Sequence, residues 1–334
     1  VHLLAIAYCR FVYRCPLKNI PFRLSQSYLP EMLGIENYNE KTASGILKKL
    51  GGMHQQMLSY MKSFVQSGDH LLMDVTNILS NSHQIGLAKK GYSNSMNFDQ
   101  QFNLMYIFSS KSKTPVYYRL LPGNIREVKA FKNSLLEAGL HKSIIIADKG
   151  FYSQKNIELM DSEKLNYLIP LKRDNSLIDY KSIADNTFKE QDSFFEHEGR
   201  IIWFRKYTVS KTHSIFLYLD ETLRLKEEND YLRRISSVPE SYSLERYYLK
   251  RNAFGTIAIF LNLKKPQAVD AYQTYKSRMS IETMFDGMKN ILEADHTYMQ
   301  DEQTLQGWMF INHIALQWYQ SLYVELKELS LLKK

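Results

Sequence analysis

The sequence predicts a mixed α/β protein in which a sheet is flanked by helices, preceded by a helical region and interrupted by a mainly β module. After residue 70, short apolar runs that are typical of buried strands alternate with amphipathic helical segments. Between residues 174 and 253 this alternation gives way to paired strand-like runs and a charged helix. A chain of 334 residues can bury a sizeable core and form two or three structural units.

The first 70 residues are predicted to be helical. The stretches SQSYLPEMLG and NEKTASGILKKLGG begin with residues that cap helices and end at glycine, and MHQQMLSYMKSFVQSGDH follows with apolar residues at helical intervals. Arg10 and Arg14 interrupt the apolar start of the chain and no small-residue cleavage site follows, which favours a buried helix over a signal peptide. The first residue is valine and not methionine, which is consistent with an N-terminally shortened chain.

Five strand-like runs with helical segments between them predict the sheet. In chain order these runs are HLLMDVT, QFNLMYIFSS, TPVYYRLLPGN, SIIIAD and LNYLIPLK. A turn-like KSK joins the second run to the third, an amphipathic helix over residues 127–140 follows the third, and another helix follows the fourth. Strands and helices in this order are typical of a mixed α/β sheet.

The second half of the chain is predicted to begin with the inserted module. RIIWFRKYTVS and HSIFLYLD have the pattern of antiparallel strands, and the helical ETLRLKEENDYLRRI follows them. FGTIAIFLNL returns to strand character, one long helix is predicted from Pro266 to about Leu292, and a final amphipathic helix ends near Leu329. The predicted division is a helical region over 1–70, a core over 71–173 and 254–326, an inserted module over 174–253 and a C-terminal tail over 327–334.

Composition favours a polyanionic partner and gives no indication of a membrane or zinc protein. The formal net charge is +8 and the pI is about 9.1, and basic surfaces attract phosphate. The two cysteines, Cys9 and Cys15, have a spacing that fits no zinc or redox pattern. No apolar run reaches the ~18 residues that span a bilayer, so we expect no membrane partner.

Two aspartates, Asp74 and Asp148, are each predicted to end a buried apolar strand. A carboxylate in such a place is costly unless it is paired or bound to a metal ion. Neighbouring parallel strands would place the two carboxylates at one edge of the sheet, where they would form a site for hard divalent cations. For a single aspartate at a strand end, a role in a loop or cap is the simpler interpretation.

The stretch YKSRMSIETMFDGMK carries four polar residues at helical intervals, namely Tyr275, Arg278, Glu282 and Lys289. At about 100° per residue, all four fall within an arc of roughly 60° that borders the apolar face of the predicted helix. A row of solvated charges would lie opposite the apolar face, so this position suggests that the four residues face something at the edge of the core. The alternative interpretation is a surface ladder of i,i+4 ion pairs, with Arg278 pairing with Glu282.

With these residues, the chain resembles the DDE transposases of the IS4 class. The resemblance rests on Asp74 in DVTN, Asp148 in IIADKGFYS and the pattern Y-x2-R-x3-E-x6-K from Tyr275 to Lys289, which is that class's signature around its catalytic glutamate. It extends from about Leu71 to Leu326. It implies an RNase H-like core in which residues between Asp148 and Glu282 include the inserted β-rich module.

The resemblance also implies a role for each matching residue. Asp74, Asp148 and Glu282 would be catalytic and would hold two Mg²⁺ ions, with Mn²⁺ as a substitute. Arg278 and Lys289 would bind phosphates on either side of the scissile bond, and Tyr275 would bind a backbone phosphate. Trp203, in the inserted module, would stack on a flipped base, although a strand tryptophan is more often part of a core. Asp286, one turn after Glu282, is an alternative third metal ligand.

The implied function is DNA transposition. The protein would cleave transposon ends and join the freed 3′-hydroxyl to target DNA, working as a homodimer on paired double-stranded ends in a prokaryotic cytoplasm, associated with the nucleoid when bound to DNA. Two alternatives remain open at this point: an RNase H-like nuclease or resolvase without strand transfer, and an inactive DNA-binding protein derived from a transposase.

Overall fold

The computed structural model describes residues 1–35, 38–66, 68–82, 84–90, 100–123, 134, 137, 143–190 and 193–332. The chain divides into two compact units. The first combines Val1–Ser143 with Ser277–Lys334, and the second is Ile144–Lys276. The domain boundaries that the sequence predicts remain a prediction.

The first unit begins with a group of short helices, as the sequence predicts. They are α1 (His2–Tyr13), α2 (Ile20–Ser25), α3 (Leu29–Leu33), α4 (Glu40–Gly51) and α5 (His54–Lys62). Local capping explains two of the boundaries. Asn39 caps α4 by accepting a hydrogen bond from the Thr42 backbone N–H, and Gly34 ends α3 at a φ of 62°. Between His2 and Lys62 the described residues are therefore mainly helical, and β1 already begins at His70.

The sheet of the first unit is built on three long antiparallel strands. Its strands are β1 (His70–Ser80), β2 (Lys89–Lys90), β3 (Gln100–Ser109), β4 (Thr114–Pro122) and β11 (His296–Thr297). β3 pairs antiparallel with both β1 and β4, and the short β11 pairs parallel with β1. The predicted KSK turn is found between β3 and β4, where Lys113 adopts a φ of 53°.

Two helices and one unusual turn complete the first unit. They are α11 (Met279–Asp286), a π-helix (Gly287–Ile291) and α12 (Glu302–Glu328). The predicted final helix is confirmed as α12, whose central residues are buried. The buried Arg10 of α1 donates to Asn312 Oδ1 at 3.0 Å and to the Leu292 carbonyl at 2.5 Å. One guanidinium thus connects α1 to α12 and to the residue that follows the π-helix.

The second unit contains a six-stranded mixed sheet. Its strands are β5 (Ile144–Ala147), β6 (Asn166–Pro170), β7 (Phe194–His197), β8 (Arg200–Thr208), β9 (Ser214–Asp220) and β10 (Thr256–Leu261), in the spatial order β5-β6-β10-β9-β8-β7. The pair β5 and β6 is parallel and is connected by helix α6 (Gln154–Ser162), whereas every other neighbouring pair is antiparallel. Three antiparallel strands followed along the chain by this β-α-β unit are the element order of an RNase H-like core, and the predicted mixed α/β class is confirmed.

The other helices of the second unit are α7 (Lys181–Ala184), α8 (Glu221–Ser237), α9 (Leu244–Lys250) and α10 (Ala268–Lys276). The single long helix predicted from Pro266 to Leu292 is wrong. α10 ends at Lys276, a turn follows at Ser277 and Arg278, and α11 starts a new helix with i→i−3 bonds from the Ser280 and Ile281 N–H groups. The break coincides with the boundary between the two units.

The helix predicted over residues 127–140 lies outside the described residues, apart from Ser134 and Glu137. Over the described ranges, no helix is both long and apolar enough to cross a lipid bilayer.

Candidate active site

Asp74 lies within β1, opposite Tyr106 of β3, with its side chain 21% exposed. The prediction that Asp74 ends its strand is wrong, because β1 continues to Ser80. The residues that follow, VTNILS, include β-branched side chains that suit a strand, and they stay paired with β3. The residues before and after Asp74 in β1 all pair with β3, so the backbone at Asp74 has little freedom.

Asp148 follows directly after β5 in the second unit, as predicted. Its backbone is extended, and its carbonyl accepts a hydrogen bond from the Phe151 N–H at 2.9 Å as a short 3₁₀ turn begins. The side chain is half-buried. Asp74 and Asp148 belong to different units, and the prediction that they form one site remains a prediction.

Arg278 joins Asp74 to Glu282 in the first unit. Arg278 is the N-cap residue of α11, and Glu282 lies in the first turn of that helix. The guanidinium donates through Nη2 to Asp74 Oδ2 at 2.7 Å and through Nη1 to Glu282 Oε1 at 3.2 Å. Its side chain is only 16% exposed, whereas that of Glu282 is 57% exposed. Two of the three predicted catalytic acids therefore converge on one arginine of the predicted signature.

The structure distinguishes Glu282 from Asp286, the alternative third ligand. Asp286 is exposed and accepts a hydrogen bond from Asn290 Nδ2 at 2.6 Å, one turn further along the chain. The guanidinium that binds Asp74 also binds Glu282. The geometry thus favours Glu282 as the partner of Asp74.

The other two signature residues do not lie on one helix with Glu282, because the predicted helix is broken. Tyr275 is on α10 of the second unit, half-buried, while Lys289 is in the π-helix that follows α11. The wider π turn changes the angular spacing at Lys289, so this residue does not follow the 100° steps from which the polar row was predicted. Burial lowers the pKa of the Lys289 ammonium, and the Asp295 carboxylate partly offsets this effect.

Trp203 lies on β8, opposite Phe194 of β7, and is half-buried. The two rings are 5.1 Å apart, and Lys189 Nζ lies 5.7 Å from the centre of the Trp203 ring. Phe194 is 51% exposed, so this aromatic pair is partly accessible and not part of a sealed core. Base stacking by Trp203 remains a prediction.

The donor chemistry fits a divalent cation, although the described residues contain no ready-made cage. Among the described residues, no three His, Cys, Asp or Glu side chains lie close enough together to hold a metal ion. However, Asp74 and Glu282 already share one positive charge through Arg278, and carboxylate oxygens are the ligands that Mg²⁺ and Mn²⁺ prefer. Such oxygen ligands suit a hard divalent cation, which would supply Lewis-acid activation of a phosphodiester.

Sequence reasoning missed the bridging position of Arg278. The i,i+4 spacing did indicate the pair with Glu282, but the pair with Asp74 joins residues 204 positions apart, and nothing local signals it. The sequence offered only a weak clue, namely an acid in an apolar strand and an arginine one helical turn before the predicted catalytic glutamate.

The sequence matches the family described as "Transposase DDE domain" over residues 66–318, a range that includes Asp74, Asp148 and Glu282. No curated protein matches the chain at a significant level. Among solved structures, a piggyBac transposase synaptic complex with hairpin DNA is 10% identical, and the similarity covers 84% of this chain and 52% of that chain, with a TM-score of 0.45. The present chain thus spans about half the length of that transposase.

Two further structures share less of the chain. The Mos1 mariner paired-end complex with Mn is 13% identical, covering 40% of this chain and 43% of that one at a TM-score of 0.21. An endonuclease V variant from Ciona intestinalis, in complex with an inosine-containing DNA, is 10% identical, covering 47% and 76% at a TM-score of 0.24. The family match covers most of the present chain, residues 66–318. The chain therefore belongs to the family of proteins with a DDE transposase domain.

Proposed function

We propose that the protein is a DNA transposase of the IS4 class, which cleaves transposon ends and transfers the 3′-hydroxyl into target DNA. The observation that carries the proposal is the arrangement of Asp74, Arg278 and Glu282. An acid from the first strand of a DDE transposase domain and an acid from the signature helix meet at the signature arginine. A solvated surface ladder would leave Asp74 out of this arrangement.

Asp74, Asp148 and Glu282 are the residues that would hold two Mg²⁺ ions, or Mn²⁺ in their place. Bound there, the ions would activate a water or 3′-hydroxyl and stabilise the leaving oxygen of the phosphodiester. The strand position of Asp74 fixes its carboxylate, whereas the exposed Glu282 has the freedom to adjust to a ligand. One rigid and one adjustable acid suit a site that must accept DNA as well as metal.

Arg278, Lys289 and Tyr275 would bind phosphates of the DNA backbone. The Arg278 fork can exchange a carboxylate for a phosphate oxygen without changing its charge or planar geometry. A phosphate beside Lys289 would offset the burial that lowers the pKa of this ammonium. Trp203 and its neighbour Phe194 would offer a partly exposed aromatic surface for a flipped base.

The proposed partners are the double-stranded transposon ends and the target DNA. We further propose a homodimer that acts on paired ends, by resemblance to the IS4 class, and a cytoplasmic location in a prokaryote, on the nucleoid when DNA is bound. The net charge of +8 supports a DNA partner.

The test is a strand-transfer assay with the full chain. The protein is incubated with Mg²⁺ or Mn²⁺, a linear duplex carrying the sequences that flank its own gene, and a supercoiled target plasmid. Joined products support transposition. Cleaved but never joined DNA would instead identify a nuclease or resolvase, and metal-independent binding without cleavage would identify an inactive DNA-binding protein.

Matched substitutions identify the residues responsible. Asp74→Asn, Asp148→Asn and Glu282→Gln should each lower cleavage and joining by at least about a hundredfold while leaving metal-free DNA binding nearly unchanged. Asp286→Asn is the control and should keep both activities. If Asp286→Asn abolished strand transfer while Glu282→Gln retained it, the assignment of the third acid would be wrong.

A further inference from the structure

The most exposed large apolar side chain in the described part of the chain is Leu249, at 85%, on helix α9 of the second unit. Its neighbour Tyr248 is 59% exposed. Arg246, Lys250 and Arg251 flank these two residues and are also exposed. We call these five residues, Arg246, Tyr248, Leu249, Lys250 and Arg251, the α9 surface.

The α9 surface is held in place by an aromatic cluster on its inner side. The buried Tyr231 of α8 contacts the rings of Tyr242, Tyr247 and Phe254 at centroid distances of 4.9, 6.0 and 5.7 Å. Ser243 caps α9 by accepting a hydrogen bond from the Arg246 N–H. Because Tyr247 is directed inward, helical geometry places Leu249 on the opposite, outward face. The exposure of Leu249 is therefore a property of a packed helix.

The cations of the α9 surface lack acidic partners. No described residue forms an ion pair with Arg246, Lys250 or Arg251, and residues 244–251 contain these three cations against one acid, Glu245. Two arginines of the preceding helix, α8, do have acidic partners. Arg224 pairs with Glu228 at 3.4 Å and Arg234 with Asp230 at 2.8 Å. Acidic and basic residues are therefore balanced along α8, whereas the α9 surface carries a net positive charge.

We propose that the α9 surface is a DNA contact of the second unit, in which the three cations bind backbone phosphates and Leu249, with Tyr248, packs against bases. DNA offers both partners at once, because its phosphates are acidic and its base faces are apolar. The Arg251 guanidinium lies 5.5 Å from the centre of the Tyr248 ring, so a phosphate contact and an aromatic contact would be adjacent. The inference rests on the proposed function, since it assigns a further substrate contact to the same enzyme.

Charge argues against a second copy of the chain as the occupant. A two-fold interface places the same surface on both subunits, so three cations would face three cations. An anionic membrane would satisfy the cations, but α9 has only seven residues and offers one aliphatic tip, which is a small area for membrane insertion.

The test measures binding of a fluorescein-labelled 40-base-pair duplex without metal, over a series of KCl concentrations. The variant Arg246→Gln/Lys250→Gln/Arg251→Gln should bind at least about tenfold more weakly, and its slope of log affinity against log salt should fall by about 2 to 3, since each lost phosphate contact removes about 0.9. The matched control, Lys41→Gln/Lys49→Gln/Lys62→Gln, removes the same charge from exposed lysines of the first unit. It should change the slope by less than about 1.

Leu249→Ala provides a second readout. It should weaken binding about three- to tenfold without changing the salt slope, because an apolar base contact releases no counterions. The proposal would be overturned if the triple variant bound DNA as its control does. It would also be overturned if Leu249→Ala left DNA binding unchanged and altered the molar mass in solution or the binding to vesicles of anionic lipid instead. A wild-type chain that binds DNA and joins ends while both variants behave normally refutes this contact alone. A wild-type chain that binds no DNA refutes the proposed function as well.

Discussion

Arg278 is the residue on which the candidate active site depends in the absence of metal. Its half-buried guanidinium neutralises Asp74 in a strand and Glu282 on a helix, so two carboxylates can approach without a cation from solution. Hydrogen bonds to charged groups of low exposure contribute more than surface pairs do, because solvent screens them less.

Arg278→Gln should therefore lower the free energy of unfolding by about 1 to 3 kcal/mol without metal, because Asp74 loses its guanidinium partner. Millimolar Mg²⁺ should raise the unfolding midpoint more in this variant than in the wild type, since the cation meets carboxylates that no longer have a competing guanidinium. Urea unfolding with and without Mg²⁺ measures both effects. Arg234→Gln, which removes an exposed pair with Asp230, is the control. An identical response to Mg²⁺ in wild type and Arg278→Gln would contradict this account.

His313 is a second residue whose environment gives a clear prediction. It is fully buried in α12 between the rings of Tyr106 and Tyr118, and neither ring nitrogen has a hydrogen-bond partner among the described residues. Burial lowers the pKa of its imidazole to about 3. The unfolded chain would take up a proton near the usual pKa of about 6.5, so between pH 6.5 and 3 the unfolded state binds more protons.

Stability should thus be complete above about pH 6.5 and should fall as the pH is lowered, by up to about 1.4 kcal/mol per pH unit from this residue. His313→Phe should remove that contribution and should be at least as stable as the wild type at pH 7.5, because it replaces two unpaired polar atoms with an apolar ring edge. Urea unfolding at pH 7.5, 6 and 5 measures the difference, with the exposed His54→Gln as control. A wild-type dependence on pH in His313→Phe would refute the prediction.

At the scale of elements, two glycines bring α4 and α12 into backbone contact. A Cβ at Gly307 of α12 would overlap the Leu47 carbonyl of α4, and one at Gly51 of α4 would overlap the Gln303 carbonyl of α12. Backbone atoms cannot rotate away as a side-chain tip can. Only glycine therefore allows the N-terminal helices to approach α12 this closely.

Gly307→Ala should lower the free energy of unfolding by at least about 2 kcal/mol, because the two helices must separate. Gly45→Ala is the matched control on α4, where a Cβ meets nothing within 4 Å. That substitution should be neutral or stabilising by about 0.5 to 1 kcal/mol. Denaturant unfolding of both variants decides the matter, and equal stability of the two would show that the helices do not depend on this contact.

The π-helix after α11 is a second element that local sequence does not determine. Gly287 packs against Tyr319 of α12, and an added Cβ would lie 2.5 Å from the ring carbon Cε1. Because this contact joins residues far apart in the chain, the local sequence does not reveal it. The residue pattern around Lys289, taken alone, predicts an ordinary α-helix. The same limitation explains the break at Ser277: propensity indicates a continuous helix, whereas the division into two units falls at this point.

At the scale of the whole molecule, features that arise from local patterns were predictable. The short apolar runs correspond to β1, β3, β4, β5 and β6, and alternating or capped segments correspond to most of the helices. Features that depend on contacts between distant segments were not predictable. Two examples are the length of β1, which pairing with β3 stabilises, and the hydrogen bond between Arg278 and Asp74. The α9 surface was also missed, since LERYYLKR has the pattern of any solvated helix until its neighbours are known.

The proposed function requires that Asp74, Asp148 and Glu282 hold the same divalent ions. The most direct measurement replaces Mg²⁺ with Fe²⁺ in the full chain, generates hydroxyl radicals with ascorbate and peroxide, and maps the resulting backbone cuts by mass spectrometry. We predict cuts near residues 74, 148 and 282 that excess Mg²⁺ suppresses and that Asp74→Asn abolishes together. Cutting confined to other segments, or cutting that Asp74→Asn leaves unchanged, would show that these three acids do not share divalent ions.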